Sequence, residues 1–126
     1  CAYHPHTVAR RRLNTALGLH MRVDRTRHID SSEPDASGML DYYYEYDIYR
    51  FVEGAECLVA RSYTDSPQEA HFLRWELGSQ QRSLQRSDFA RPVAFAAEAF
   101  LRSEGKIELK WLGEQGTYER LPARQA

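Results

Sequence analysis

The sequence predicts an α+β fold: an antiparallel β-sheet of about five or six strands, one main helix in the C-terminal half packed on it, and a short N-terminal helix. Three observations carry this. Apolar and polar residues alternate in several separate segments, as in strands with one solvated face. In the C-terminal half, the segment from Val93 to Leu101 places its apolar residues at helical spacing. No recurring strand-helix-strand alternation marks a parallel sheet, which removes the usual nucleotide-binding crevice.

Near the start, Thr7 is a suitable N-cap, Ala9, Leu13, Ala16 and Leu17 fall at helical spacing, and Gly18 supplies a stop. A short helix is expected there, with Arg10 to Arg12 on its solvated face. From Leu19 the period changes to two. Leu19, Met21, Val23 and Ile29 share one face, and His20, Arg22, Asp24, Thr26 and His28 the other, so residues 19–29 read as a strand whose apolar face is interrupted by Arg25 and Arg27. Residues 30–38 form a loop, broken by Pro34 and Gly38.

The tyrosine-rich run follows. Leu40, Tyr42, Tyr44, Tyr46 and Ile48 alternate with Asp41, Tyr43, Glu45, Asp47 and Tyr49, a half-buried strand of residues that suit a pleated surface. Glu53-Gly54 then permits a tight reversal into a second strand, Cys57 to Tyr63. Residues 67–77 admit two readings. Ser66-Pro67-Gln68-Glu69 has the form of a helical capping box, yet a helix would leave Phe72 and Trp75 off the stripe of Ala70, Leu73 and Leu77. As a strand, Leu73, Trp75 and Leu77 line one face with Arg74 and Glu76 outward, and this reading is preferred.

Residues 78–87 read as a polar linker. Ser87 or Asp88 caps the main helix, which carries Val93, Ala97, Phe100 and Leu101 on one face and ends at Gly105. Ile107, Leu109 and Trp111 alternate with Glu108 and Lys110 as a strand, Gly113 to Gly116 turns the chain, and Thr117 to Leu121 returns beside it. The domain division expected is an N-terminal segment 1–18, a single domain 19–122 and a tail 123–126.

A length of 126 residues suits one core, and 42% hydrophobic with 28% charged residues is the balance of a globular chain rather than a disordered one. No apolar run approaches the roughly 18 residues of a membrane helix. The net charge of −1 argues against a whole-molecule field for nucleic acid, although residues 1–30 carry six arginines against Asp24 and Asp30. Two cysteines, Cys1 and Cys57, are too few for a disulfide framework. Cys1 followed by the small residue Ala2 has the form of a bacterial lipoprotein terminus, whose sulfur carries the lipid. That reading expects a place at the cell envelope, facing the periplasm, with membrane contact only through the lipid and Arg10 to Arg12 beside the headgroups. The alternative is that Cys1 is a boundary within a longer sequence, which leaves a cytoplasmic location open.

The glycines form no phosphate-cradling loop, and no zinc-type spacing exists; Cys1, His4 and His6 are metal-capable residues at a terminus, so neither metal nor cofactor is expected. His20, Arg22, Asp24 and His28 share a strand face with acid-base capability but no nucleophile beside it, and a solvated face is the better reading. Cys57 reads as a small buried hydrophobe. The expected contact surface is Tyr43 and Tyr49 together with Asp41, Glu45 and Asp47, on the face opposite a core-directed Tyr42, Tyr44 and Tyr46; the alternative is that a second layer covers these rings. Carboxylates interleaved with the rings would repel phosphate, which disfavours nucleic acid. The expected function is therefore a non-enzymatic binding or protein-interaction domain with another protein as partner. The alternatives are a small enzyme using the His20, Asp24 and His28 face, and a carrier holding a small ligand between sheet and helix.

Overall fold

Alternation of apolar and polar residues sets the strands, and the strands join into one sheet. The computed structural model describes residues 2–3, 6–14 and 20–121. The elements are β1 (Ala2–Tyr3), β2 (His6–Asn14), β3 (His20–Ser31), β4 (Tyr43–Glu53), β5 (Glu56–Tyr63), β6 (Glu69–Leu77), β7 (Gln80–Arg82), helix α1 (Pro92–Ser103), β8 (Glu108–Leu112) and β9 (Tyr118–Arg120). β1 and β2 lie end to end along the outer edge of β3, and β8 and β7 along the outer edge of β6, giving seven positions across the sheet.

Two expectations are corrected here. The sheet is mixed, because β6 and β8 run parallel, with Ala70 opposite Leu109 and Phe72 opposite Trp111. The chain leaves β6 through β7, crosses one face as α1 and re-enters in the original direction, as a crossover connection requires. A strand with one solvated face shows the same alternation whichever way its neighbour runs. The second correction concerns the N-terminal helix: His6–Asn14 is a strand, antiparallel to β3, with Leu13 opposite Met21 and Arg11 opposite Val23. Helix propensity differences are tenths of a kcal/mol per residue, and the open hydrogen-bonding edge of β3 outweighs them. Residues 69–77 form the preferred strand.

Local chemistry explains the joints. Gly54 takes φ 58°, the left-handed conformation that a two-residue turn between Glu53 and Glu56 needs at its first position. α1 begins one turn later than the expected cap, with Pro92 at its first position, while Asp88 belongs to a 3₁₀ turn over Arg86–Ala90. The helix ends in a Schellman arrangement: Gly105 has φ 90° and the Lys106 N–H donates to the Leu101 carbonyl at 2.9 Å.

The core lies between α1 and one sheet face. Met21, Val23, Tyr49, Phe51, Leu58, Phe72, Trp75, Leu109 and Trp111 meet Val93, Ala97, Phe100 and Leu101 there. Edge-on ring contacts join the layers, with Phe51 and Phe100 centroids 5.8 Å apart and Phe72 and Phe89 5.6 Å apart. A bulge opposite Val59 and Ala60 inserts one extra residue in β6. Phe72 and Trp75 therefore both reach the helix side, whereas the alternation alone placed Leu73 with Trp75; Leu73 packs instead against the cluster of Ile48, Cys57 and Val59.

Asp88 fixes the approach to α1. Its buried carboxylate accepts from Arg82 Nη1 and Nη2 at 3.0 and 2.8 Å and from the Gln85 N–H at 2.7 Å. Burial pushes this carboxyl up, but the Arg82 fork and the Gln85 N–H outweigh it and hold it below the ordinary carboxylate value. Asp88→Asn should therefore lower unfolding stability by roughly 2 kcal/mol at neutral pH in denaturant titrations. Because the folded value is depressed, the wild-type advantage should be complete above about pH 4 and shrink as pH falls through the lowered value. An unchanged midpoint at neutral pH would remove Asp88 from this role.

Candidate functional site

The other sheet face carries no helix among the described residues, and it holds most of the tyrosines. Even-numbered positions of β3 and β4 point to it, as do odd-numbered positions of β5. Val59 and Ile48 are buried here nonetheless, under Tyr46, Val52, Leu73 and the stems of long polar side chains. Three arginines on this face are tied down by carboxylates: Arg22 to Asp24 at 3.2 Å, Arg50 to Glu76 at 3.5 Å and Arg74 to Glu76 at 3.0 Å.

A run of rings crosses one end of the face. His28 stacks on Tyr46 with centroids 5.4 Å apart and planes 10° apart, Tyr46 meets Tyr63 edge-on at 5.5 Å, Tyr63 meets Tyr44 at 6.0 Å and Tyr44 stacks on Tyr42 at 5.9 Å. The run starts at a buried histidine, 5% exposed, and ends in the exposed Tyr44 and Tyr42, 50% and 36% exposed. Beside it, the Arg61 guanidinium lies 4.9 Å from the Tyr63 centroid and donates from Nη2 to the Tyr118 hydroxyl at 2.8 Å. Tyr118 packs on His71 at 4.4 Å, and His71 Nε2 lies 2.7 Å from Glu69 Oε1, which also faces Lys110 Nζ at 3.7 Å. The hydrogen bond from His71, with the Lys110 charge, holds the Glu69 carboxyl below its ordinary value. Arg61, Tyr63, Ser66, Glu69 and His71 line a recess of about 160 Å³.

The residues expected to form one contact surface are divided by the structure. Asp41 and Tyr43 are exposed, Tyr43 at 52%. Glu45 is half-buried and Asp47 buried, both bonded to Arg27, from Nη1 at 2.8 Å to Glu45 and from Nε at 2.5 Å to Asp47. Tyr49 is 1% exposed, in the core against Phe51 and Phe100. The face assignment is thus reversed: the odd positions of β4 turn toward the helix layer and the even ones away from it. The signal that reveals this is the far end of the strand, where Tyr49 and Phe51 alternate with Arg50. Cys1 lies outside the described residues, as do His4 and the side chains of His6 and His20.

Chemical capacity on this face is limited by spacing. Asp24 and His28 stand four residues apart on one strand, about 13 Å along it, too far for a direct acid-base pair. Ser66 shares the recess with His71 and Glu69, but no hydrogen bond joins its hydroxyl to the His71 ring. Burial pushes the Cys57 thiol up to about 11, so it is protonated at neutral pH. A second, more open recess of about 440 Å³, by the turn between β8 and β9, is lined by Leu84, Gln85, Trp111, Glu114, Thr117 and Glu119 among others. No protein-family model matches the chain, and no curated protein or solved structure matches it.

Two outcomes test this geometry. Burial, then the nearby Arg50 charge, pull the His28 imidazole below its ordinary value. A depressed histidine contributes stability that is complete above about pH 6.5 and is lost as pH falls toward the lowered value. Wild-type melting temperature should thus fall between about pH 6.5 and pH 5, and His28→Gln should flatten that slope; equal slopes would place the titration elsewhere. Cys57 should react with a thiol reagent at pH 8 far more slowly in the native protein than in denaturant, and equal rates would show an accessible thiolate.

Proposed function

We propose that this chain is a non-enzymatic protein-interaction domain whose contact surface is the helix-free sheet face, at its tyrosine-bearing end. The observation that carries the reading is the ring run ending in exposed Tyr44 and Tyr42. Tyrosine offers broad, rigid contact area with a polar tip, and tyrosine and arginine are, with tryptophan, the side chains enriched at the energetic centres of interfaces. Here both types occur together, each already held by neighbours. The carrier alternative has less support, because Phe51, Phe72, Phe89, Phe100 and Trp111 fill the layer between sheet and helix. The contact surface proposed differs from the one read from alternation alone: Tyr43 lies on the opposite side of β4, Asp41 lies outside the strand, and Tyr49 is buried.

The test uses paired substitutions on opposite faces. A partner recovered from the native host with the full chain as bait is purified and its affinity measured. Tyr42→Ala and Tyr44→Ala should each weaken binding by about 1 kcal/mol or more with the melting temperature nearly fixed, and Tyr43→Ala should leave affinity unchanged. Retained affinity in both face variants, or a loss confined to Tyr43→Ala, would overturn the proposal.

A further inference from the structure

Arg61 differs from the arginines around it. On the same sheet face, Arg22 of β3, Arg50 of β4 and Arg74 of β6 each meet a carboxylate within 4 Å. Among the described residues Arg61 of β5 meets none. Its guanidinium is held instead by a ring and a hydroxyl, Tyr63 and Tyr118, and its Nε is buried without an acceptor. It is therefore a half-buried, oriented cation on the wall of a recess, with donor capacity unused. Guanidinium is the side chain best shaped to grip an oxyanion through parallel N–H donors.

We infer that the recess beside Arg61 receives an aspartate or glutamate side chain of the partner protein, an inference that rests on the interaction reading above. Charge at this end of the face supports it. By strand register Arg61, Lys110 and Arg120 share it with Glu69 and Glu108, three positive charges against two negative. Glu69 is engaged by His71 and Lys110, and among the described residues neither Arg61 nor Arg120 has an ion pair; of these two guanidinium groups, Arg61 is the one that lines the recess. One surplus charge matches a monoanion. A phosphate monoester brings nearly two charges and would leave one facing Glu69 and Glu108. The volume of about 160 Å³ admits a carboxylate with its adjoining methylene groups, since a water occupies roughly 30 Å³ of liquid.

The experiment titrates isotope-labelled full chain with N-acetylglutamate N-methylamide, following the Arg61 Nε–H and Tyr118 ring resonances. The glutamine analogue serves as the neutral control and inorganic phosphate as the multivalent one. Saturable shifts with the glutamate probe alone are expected, weakened about tenfold in Arg61→Gln. Tyr118→Phe removes the hydroxyl that orients Nη2 while leaving the charge, and should weaken the probe severalfold with an unchanged melting temperature. Equal shifts with the glutamine analogue, binding retained in Arg61→Gln, or tighter binding of phosphate would each overturn the carboxylate assignment. With the purified partner, dependence on Tyr42 and Tyr44 but not on Arg61 would overturn this inference and leave the interaction face standing. Loss of probe-independent partner binding in neither tyrosine variant would instead remove the face itself.

Discussion

One helix cannot cover this sheet, and much of the surface chemistry follows from that shortfall. α1 has 12 residues, so it is about 18 Å long and about 10 Å across with its side chains. Seven strand positions at about 4.8 Å spacing span about 29 Å. The helix therefore seals the middle of one face, over Phe51, Leu58 and Phe72, and leaves the remainder to side chains that are apolar along their length and polar at the tip. Arg27 with Asp47 and Glu45 closes the flank beyond the helix end. On the other face Arg22, Arg50, Arg74 and the tyrosines do the same over Ile48 and Val59. A chain with 17 basic residues, only two of them lysine, has the right material for this, because a guanidinium lies flat over rings and still grips carboxylates.

The elements themselves were legible where one physical cause dominated. Alternation located β3, β4, β5 and β8, the helical stripe of Val93, Ala97, Phe100 and Leu101 located α1, and Gly54 and Gly105 marked reversals that only their left-handed backbone makes cheap. The preference for a strand at residues 69–77 succeeded for a similar reason, since Phe72 and Trp75 had nowhere to go on a helix. Where local and long-range causes competed, local reading failed. Ala9, Leu13, Ala16 and Leu17 do fall at helical spacing, but β3 presents a full hydrogen-bonding edge to whatever segment precedes it, and β2 takes that edge. The parallel pairing of β6 with β8 depends on where α1 crosses, which no single strand encodes.

The candidate site was misread through the parity of β4. Both faces of this strand carry rings, so alternation announces a strand without saying which side the helix will occupy. Glu45 and Asp47 made the odd face look solvated. They are charged because they stand beyond the end of α1, where Arg27 answers both, while Tyr49 and Phe51 on the same face lie beneath the helix. Polarity along one strand thus changes with position relative to the covering layer as well as with parity. Arg61, Tyr63, His71 and Tyr118 were beyond reach for another reason: they come from β5, β6 and β9, and only the crossover brings β8 and β9 beside β6.

The consequence for recognition is one of rigidity. An interface that must first immobilise its long side chains loses roughly 0.5–1.5 kcal/mol for each. On the open face that ordering is already present in the isolated chain. Tyr46 is held between His28 and Tyr63, Tyr44 between Tyr42 and Tyr63, and Arg61 between Tyr63 and Tyr118. Tyr63 is the common element, touching Tyr44, Tyr46 and Arg61, so it couples the ring run to the guanidinium. Ion pairing of Arg22, Arg50 and Arg74 on this face reduces a field that a net charge near zero already keeps small. For the protein contact proposed, selectivity would then come from the fixed relation between flat aromatic area and one oriented cation, rather than from long-range attraction. That relation is set by the hydrogen-bonded register of β4 and β5, where Tyr46 stands opposite Tyr63 and Ile48 opposite Arg61, so the geometry of the site is as rigid as the sheet that carries it.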